Sequence, residues 1–172
     1  MSVGNRIYKK FKRIDPVLYA DFNDIPVANI GDASMKIACV DSHIRSMNHC
    51  RLIGQAYTVR VPEGDNLLVF YAIDNANEGD IIVIDGDGYS QRALFGEILL
   101  TMAQKKGIGG FIINGAIRDY DAIEKSAIPV FASGISPNGP YRNGYGEVNV
   151  PVVIDGKVIQ PGDVVIGDDE SI

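Results

Sequence analysis

Two short apolar runs with a helical pattern between them constrain this chain more than any other feature. Ile81 to Ile84 is wholly apolar, and so is Phe111 to Ile113; runs of this kind suit strands buried on both faces. Between them, Gly96 to Lys106 places Ile98, Leu99, Met102 and Ala103 on one helical stripe. Gly107 follows, a residue suited to ending a helix in the left-handed conformation. Strand, helix and strand over about 30 residues make a βαβ unit, with parallel strands and a right-handed crossover expected. An α/β fold with a parallel sheet at its centre is the first expectation.

The remaining chain is read around that unit. Its 172 residues fit one domain, 1–172, with a single sizeable core. Residues 1–50 carry weak helical patterning broken at Pro26, read as one or two helices packed on the rest. Gly54 to Val61 alternates as a strand does, and Asp65 stands as the N-cap of a buried helix from Asn66 to about Asn75. A short helix is expected from Tyr120, then a strand at Val130 to Ala132 and a long loop from Ser133 to Tyr145. The end reads as β structure: Val150 to Ile154, an Asp155-Gly156 hairpin turn, Val158, and Val164 to Ile166. Gly79-Asp80-Ile81-Ile82-Val83 resembles Gly162-Asp163-Val164-Val165-Ile166, the same turn-into-strand device used twice.

Composition narrows the function classes. A net charge of −6 argues against nonspecific binding of nucleic acid. The basic run Lys9-Lys10-Phe11-Lys12-Arg13 reads as a solvated helix face. Cys39 and Cys50 have no metal or redox spacing, and no apolar run is long enough to span a membrane, so a cytoplasmic protein with free thiols is expected. Asp85-Gly86-Asp87-Gly88 is not a dinucleotide loop, because Gln91 stands where the third glycine belongs; Tyr89 spoils an EF-hand reading. His43 and His49 are isolated, which speaks against a zinc site or a Ser-His pair.

The chemistry gathers at the ends of the two parallel strands, where ligands of open sheets collect. One strand leads to the start of the Gly96 helix, the other to Gly115, Arg118 and Asp119. The backbone N–H groups of Glu97, Ile98 and Leu99 lie in a first helical turn, which favours an anion. Gly96 permits close approach to the backbone. Arg118 suits a carboxylate held by two parallel hydrogen bonds. Asp119 and Glu97 offer hard oxygen ligands for a divalent cation such as Mg²⁺. Together they suit a 2-oxo acid and the enolate formed when its carbon–carbon bond breaks. The same residues also fit a plain reading, in which Arg118-Asp119 is a structural salt bridge and Glu97 answers the helix dipole.

At these residues the chain resembles the RraA-like family, which includes 4-hydroxy-4-methyl-2-oxoglutarate aldolases and the ribonuclease regulator RraA. The resemblance is carried by Gly96-Glu97-Ile98-Leu99, Ala103, Gly107, Gly110 and Asn114-Gly115-Ala116-Ile117-Arg118-Asp119, and extends from Asp32 through Gly162-Asp163. Aldolase members have an acidic residue, twenty intervening residues, then Arg-Asp; Glu97, residues 98 to 117 and Arg118-Asp119 meet that spacing. The resemblance implies a compact α/β sandwich of the swivelling β/β/α type, assembled as a homotrimer or hexamer with sites near subunit boundaries. It implies a metal-dependent (Mg or Mn) lyase that cleaves a small 2-oxo acid to pyruvate, with oxaloacetate decarboxylation as a related activity. Arg118 would bind the pyruvyl carboxylate with the amides near Ile98 and Leu99; Asp119 would hold the metal and Glu97 would position it through water. The alternative within the family is a regulator that binds a ribonuclease and lacks the full acidic-Arg-Asp pattern. A menaquinone methyltransferase label, also attached to the family, finds little in these residues. The chain departs from aldolase members at Asn114-Gly115, where they carry Asp-Gly. It departs again at Gly167-Asp168-Asp169-Glu170-Ser171-Ile172, where they continue into a strand and a helix that can complete a neighbour's site.

Overall fold

The computed structural model describes residues 4–35, 37–40, 43–169 and 172. Its strands are β1 (Asn5–Ile7), β2 (Arg45–Ser46), β3 (Leu52–Arg60), β4 (Ile81–Asp85), β5 (Ala93–Phe95), β6 (Gly110–Ile117), β7 (Val130–Ile135), β8 (Gly146–Val148), β9 (Val152–Ile154), β10 (Lys157–Ile159) and β11 (Val164–Gly167). The helices are α1 (Val27–Ala33), α2 (Leu67–Asn75), α3 (Glu97–Lys106) and α4 (Tyr120–Glu124). The main sheet runs β1-β8-β3-β4-β6-β7-β2, with β11 also on β3 and β5 on β6.

The apolar run of β4 occupies the centre, parallel to β3 on one side and to β6 on the other. Its residues alternate between two cores, which is why no polar position interrupts them. Ile82 and Ile84 pack with Phe111 and Ile113 beneath α2 and α3, against Leu68, Val69, Ile73, Leu99, Leu100 and Ala103. Ile81 and Val83 face the other way, with Leu52, Ala56, Ile112 and Val165 of the main sheet against Val152, Ile154 and Ile159 of the small β9–β10 sheet. The result is a three-layer α/β sandwich: the two-stranded β9–β10 sheet, the large mixed sheet that includes β11, and helices.

The repeated turn is the same device in both places. Gly79 (φ 79°) and Gly162 (φ 91°) supply the left-handed residue. Asp80 N–H donates to the Asn77 carbonyl at 3.1 Å, and Asn77 N–H to Asp80 Oδ2 at 2.8 Å. Asp163 and Gln160 repeat both bonds at the same distances. The two turns launch strands on either side of β3, β4 parallel and β11 antiparallel. Asp155 (φ 49°) and Gly156 (φ 73°) form the tight hairpin joining β9 to β10.

The first fifty residues differ from expectation. In place of one or two sustained helices they contain β1, short 3₁₀ turns at Pro16–Leu18 and Ala20–Asp24, the seven-residue α1, and β2. Pro26 does not break a helix; it is the N-cap of α1, a place where its missing N–H costs nothing. Lys9 to Arg13 forms no helix, and Arg13 makes a two-point ion pair with Asp80 at 2.6 and 2.8 Å. β6 and β7 both run past their expected ends: β6 continues through Asn114-Gly115 to Ile117 past an irregularity, and β7 to Ile135. The helix cap is shifted by one. Asn66 is the N-cap of α2, while Asp65 Oδ1 accepts from Leu67 N–H at 3.0 Å.

Candidate functional site

The added length of β6 builds the site. Where β4 ends at Asp85, Gly86 to Arg92 loop out, and β5 takes over beside β6, pairing Ala93 with Ala116 and Phe95 with Ile117. The loop is tied down by Gly86 N–H and Gly88 N–H, which both donate to the Asn114 carbonyl. It therefore leads into a strand, not into the helix that a nucleotide-binding glycine loop requires. β5 and β6 are parallel neighbours, so α3 and Arg118-Asp119 emerge side by side, and Arg118 N–H donates to the Phe95 carbonyl at 2.9 Å.

Glu97, Arg118 and Asp119 are thus brought together, as the topology of the sequence requires. Glu97 N–H donates to Asp119 Oδ2 at 3.0 Å, and Arg118 Nε lies 3.6 Å from the same oxygen. A Cβ at Gly96 would stand 2.7 Å from Asp119 Oδ2 and 2.9 Å from Arg118 Cγ. Gly96 is needed here for close approach, but the group that approaches is the site's own Arg-Asp pair. Asp119 adopts the left-handed conformation (φ 56°) and is the N-cap residue of α4. Both side chains are only partly covered, Arg118 at 35% and Asp119 at 39% exposure.

Two expectations need correction. The Glu97 N–H is not a free anion donor, because Asp119 occupies it. Ile98 is not on the buried stripe of α3; it is 58% exposed, and Leu99, Leu100 and Ala103 form that stripe instead. The N–H groups of Ile98 and Leu99 remain first-turn donors beyond the reach of the helix's own carbonyls.

The donor set suits a hard, largely hydrated cation. Asp119 Oδ1 and the Glu97 carboxylate have no protein partner among the described residues, and both line an open depression of about 530 Å³ with Tyr120, Asp121, Ala122 and Lys125. No group of three or more His, Cys, Asp or Glu is gathered as a metal cluster among the described residues. One or two carboxylates with water completing the shell is the pattern that Mg²⁺ accepts, and a caged transition-metal site is not.

A separate small cavity of about 20 Å³ is lined by Gly96 and Arg118, next in sequence to Glu97 and Asp119, with Asn66, Phe95, Leu99 and Arg142 among others. Asn66 and Arg142 were not singled out by sequence reasoning. They come from α2's N-cap and from the loop before β8, which Asp65 ties together: its Oδ2 accepts from Asn143 and Gly144 N–H. The one sequence signal was the Asp65-Asn66 pair ahead of an apolar helix, and it reads equally well as capping alone.

Fold and site together define an α/β sandwich that presents an arginine, two carboxylates and a helix N-terminus on one sheet edge. The RraA-like family model, described as Aldolase/RraA, matches residues 27–172, and the chain belongs to that family. It is 39% identical over 152 residues to a Halalkalibacterium halodurans protein provisionally named a 4-hydroxy-4-methyl-2-oxoglutarate aldolase, covering 88% of this chain and 72% of that protein. Among solved structures, the RNA-processing inhibitor RraA of Thermus thermophilus superposes with a TM-score of 0.79 at 27% identity, over 86% of this chain and 90% of that one. A Geobacillus kaustophilus structure described as an S-adenosylmethionine:2-dimethylmenaquinone methyltransferase gives 0.79 at 29% identity, over 86% and 92%. No helix of the described residues is long and apolar enough to cross a membrane.

Proposed function

We propose that this chain is a divalent-metal-dependent lyase that cleaves 4-hydroxy-4-methyl-2-oxoglutarate-type 2-oxo acids to pyruvate and also decarboxylates oxaloacetate. The observation that carries the reading is the convergence of Arg118 and Asp119 on the α3 N-terminus, where Asp119 Oδ2 meets Glu97 N–H. Arg118 binds the carboxylate of the pyruvyl half, with the N–H groups of Ile98 and Leu99 beside it and Gly96 letting the Arg-Asp pair sit close against the backbone. Asp119 would hold Mg²⁺ or Mn²⁺, and Glu97 would hold it through water. When bound, that cation supplies Lewis-acid stabilisation of negative charge on the 2-oxo oxygen.

In the cleavage the C3–C4 bond breaks and its electron pair passes to C3 and the 2-oxo group. The C4 hydroxyl loses its proton and becomes a carbonyl, and C3 then takes up a proton to give pyruvate. Glu97, exposed at the mouth, would position the water that takes up the hydroxyl proton. Exposed Ile98 lines the cavity beside Arg118, and assembly as a homotrimer or hexamer with subunits meeting there, in the cytoplasm, is part of the same reading.

The test is pyruvate release from 4-hydroxy-4-methyl-2-oxoglutarate and from oxaloacetate, with Mg²⁺, with Mn²⁺ and after chelation. Turnover that needs the metal and is lost in Arg118→Ala supports the lyase. No pyruvate from any 2-oxo acid, together with tight binding of a ribonuclease, would replace it with the regulator reading that the Thermus neighbour's name suggests.

A further inference from the structure

Asn66 lines the cavity beside Arg118 and carries a polar atom that the fold leaves unused. Its backbone N–H donates to the Tyr141 carbonyl at 3.1 Å, and its own carbonyl accepts from Val69 and Phe70 N–H. Its Nδ2 donates to the Leu94 carbonyl at 3.0 Å. Only Oδ1 is left, buried and without a partner among the described residues, in a residue 3% exposed. A carbonyl only accepts, so Leu94 fixes which way the amide faces. Asn66, with its spare acceptor, and Arg118, with its cation, both line the cavity. Buried polar atoms are normally satisfied, and an orphan in a pocket marks a place for a ligand atom. The space, about 20 Å³, takes one group the size of a water molecule. A carboxylate has no proton to offer this oxygen, whereas a hydroxyl does.

Resting on the lyase reading above, we infer that Asn66 is a specificity-determining residue that accepts a hydrogen bond from the substrate's 4-hydroxyl while Arg118 holds the pyruvyl carboxylate. The amide stays neutral and does not take the proton. It orients the hydroxyl and selects hydroxylated 2-oxo acids over those without one.

Two substrates of the proposed reaction separate this role from a structural one, because 4-hydroxy-4-methyl-2-oxoglutarate has the hydroxyl and oxaloacetate lacks it. In Asn66→Leu, kcat/KM for aldol cleavage is expected to fall at least about tenfold further than kcat/KM for decarboxylation. Parallel losses would overturn the inference and leave Asn66 as a helix cap. A measurement on the wild-type chain avoids any folding defect. With Mg²⁺ present, calorimetric titration compares a 2,4-dihydroxy dicarboxylic acid, which has no 2-oxo group and is not cleaved, with its 4-deoxy counterpart. About tenfold tighter binding of the dihydroxy acid is expected; equal affinities, or no binding of either, overturn the inference. Failure of the lyase reading shows separately, as a wild-type chain that releases no pyruvate from either substrate.

Discussion

The Glu97 backbone N–H donates to Asp119 Oδ2 at 3.0 Å, across 22 residues of sequence. α3 begins at Gly96, which has no side chain with which to cap it. Asp119 supplies the missing acceptor from another element, so one carboxylate both caps α3 and, in the proposed function, carries the metal. The two roles separate by substitution. Asp119→Asn keeps an acceptor and tolerates the left-handed backbone, so its thermal midpoint is expected to stay near wild type while metal-dependent pyruvate release is lost. Asp119→Ala loses the cap as well, lowering stability by about 1 kcal/mol. Denaturation curves read beside the pyruvate assay check both outcomes.

Gly96 is extended, at φ −167°, so backbone strain is not what demands glycine there. The demand is spatial: a Cβ would stand 2.7 Å from Asp119 Oδ2 and 2.9 Å from Arg118 Cγ. Gly96→Ala is expected to push the Arg-Asp pair aside while leaving β5 and α3 intact. A displacement of about an ångström at a reacting centre costs about a hundredfold in rate. Steady-state kinetics should show that loss with the circular dichroism spectrum unchanged; full activity would mean that the close approach has no functional weight.

Arg118 tests the carboxylate reading through geometry rather than charge. Its guanidinium offers two parallel donors, and lysine cannot reproduce them. Arg118→Lys is therefore expected to lose most of what Arg118→Ala loses, about a hundredfold in kcat/KM, if two charge-assisted hydrogen bonds disappear. A lysine variant near wild type would show that Arg118 acts only as a positive charge.

The βαβ unit was legible because its signals are local. Ile81 to Ile84 has no polar position, and Gly107 ends α3 at φ 74°. Parallel strands then force Arg118-Asp119 beside the start of α3, so the proximity of these residues could be read without coordinates. β5 could not be read in the same way. Three residues after a glycine-rich loop carry no periodicity, and Ala93 to Phe95 becomes a strand only because β6 offers an open edge beyond the end of β4. Ile98 was misplaced for a related reason: helical spacing defines a stripe, but the neighbours decide which side of it is covered. Asn66 needed the structure outright, because a helix cap and a cavity wall have the same sequence.

Tyr57 gives a pH test that is independent of the site. It is buried in the helix-side core, with its ring edge-on to Phe11 at 6.1 Å between centroids. Burial, with a smaller contribution from nearby Tyr71, pushes its phenol up from 10.0 to about 12. Between those values the unfolded chain has released this proton and the folded chain still holds it. Stability must therefore fall as pH rises through that window, and the contribution is fully present below about pH 10. Tyr57→Phe removes the titrating group while keeping most of the buried ring. Urea midpoints at about pH 9 and about pH 11 should drop more between the two for wild type than for Tyr57→Phe. Equal drops would assign the alkaline loss to the chain's other tyrosines and lysines.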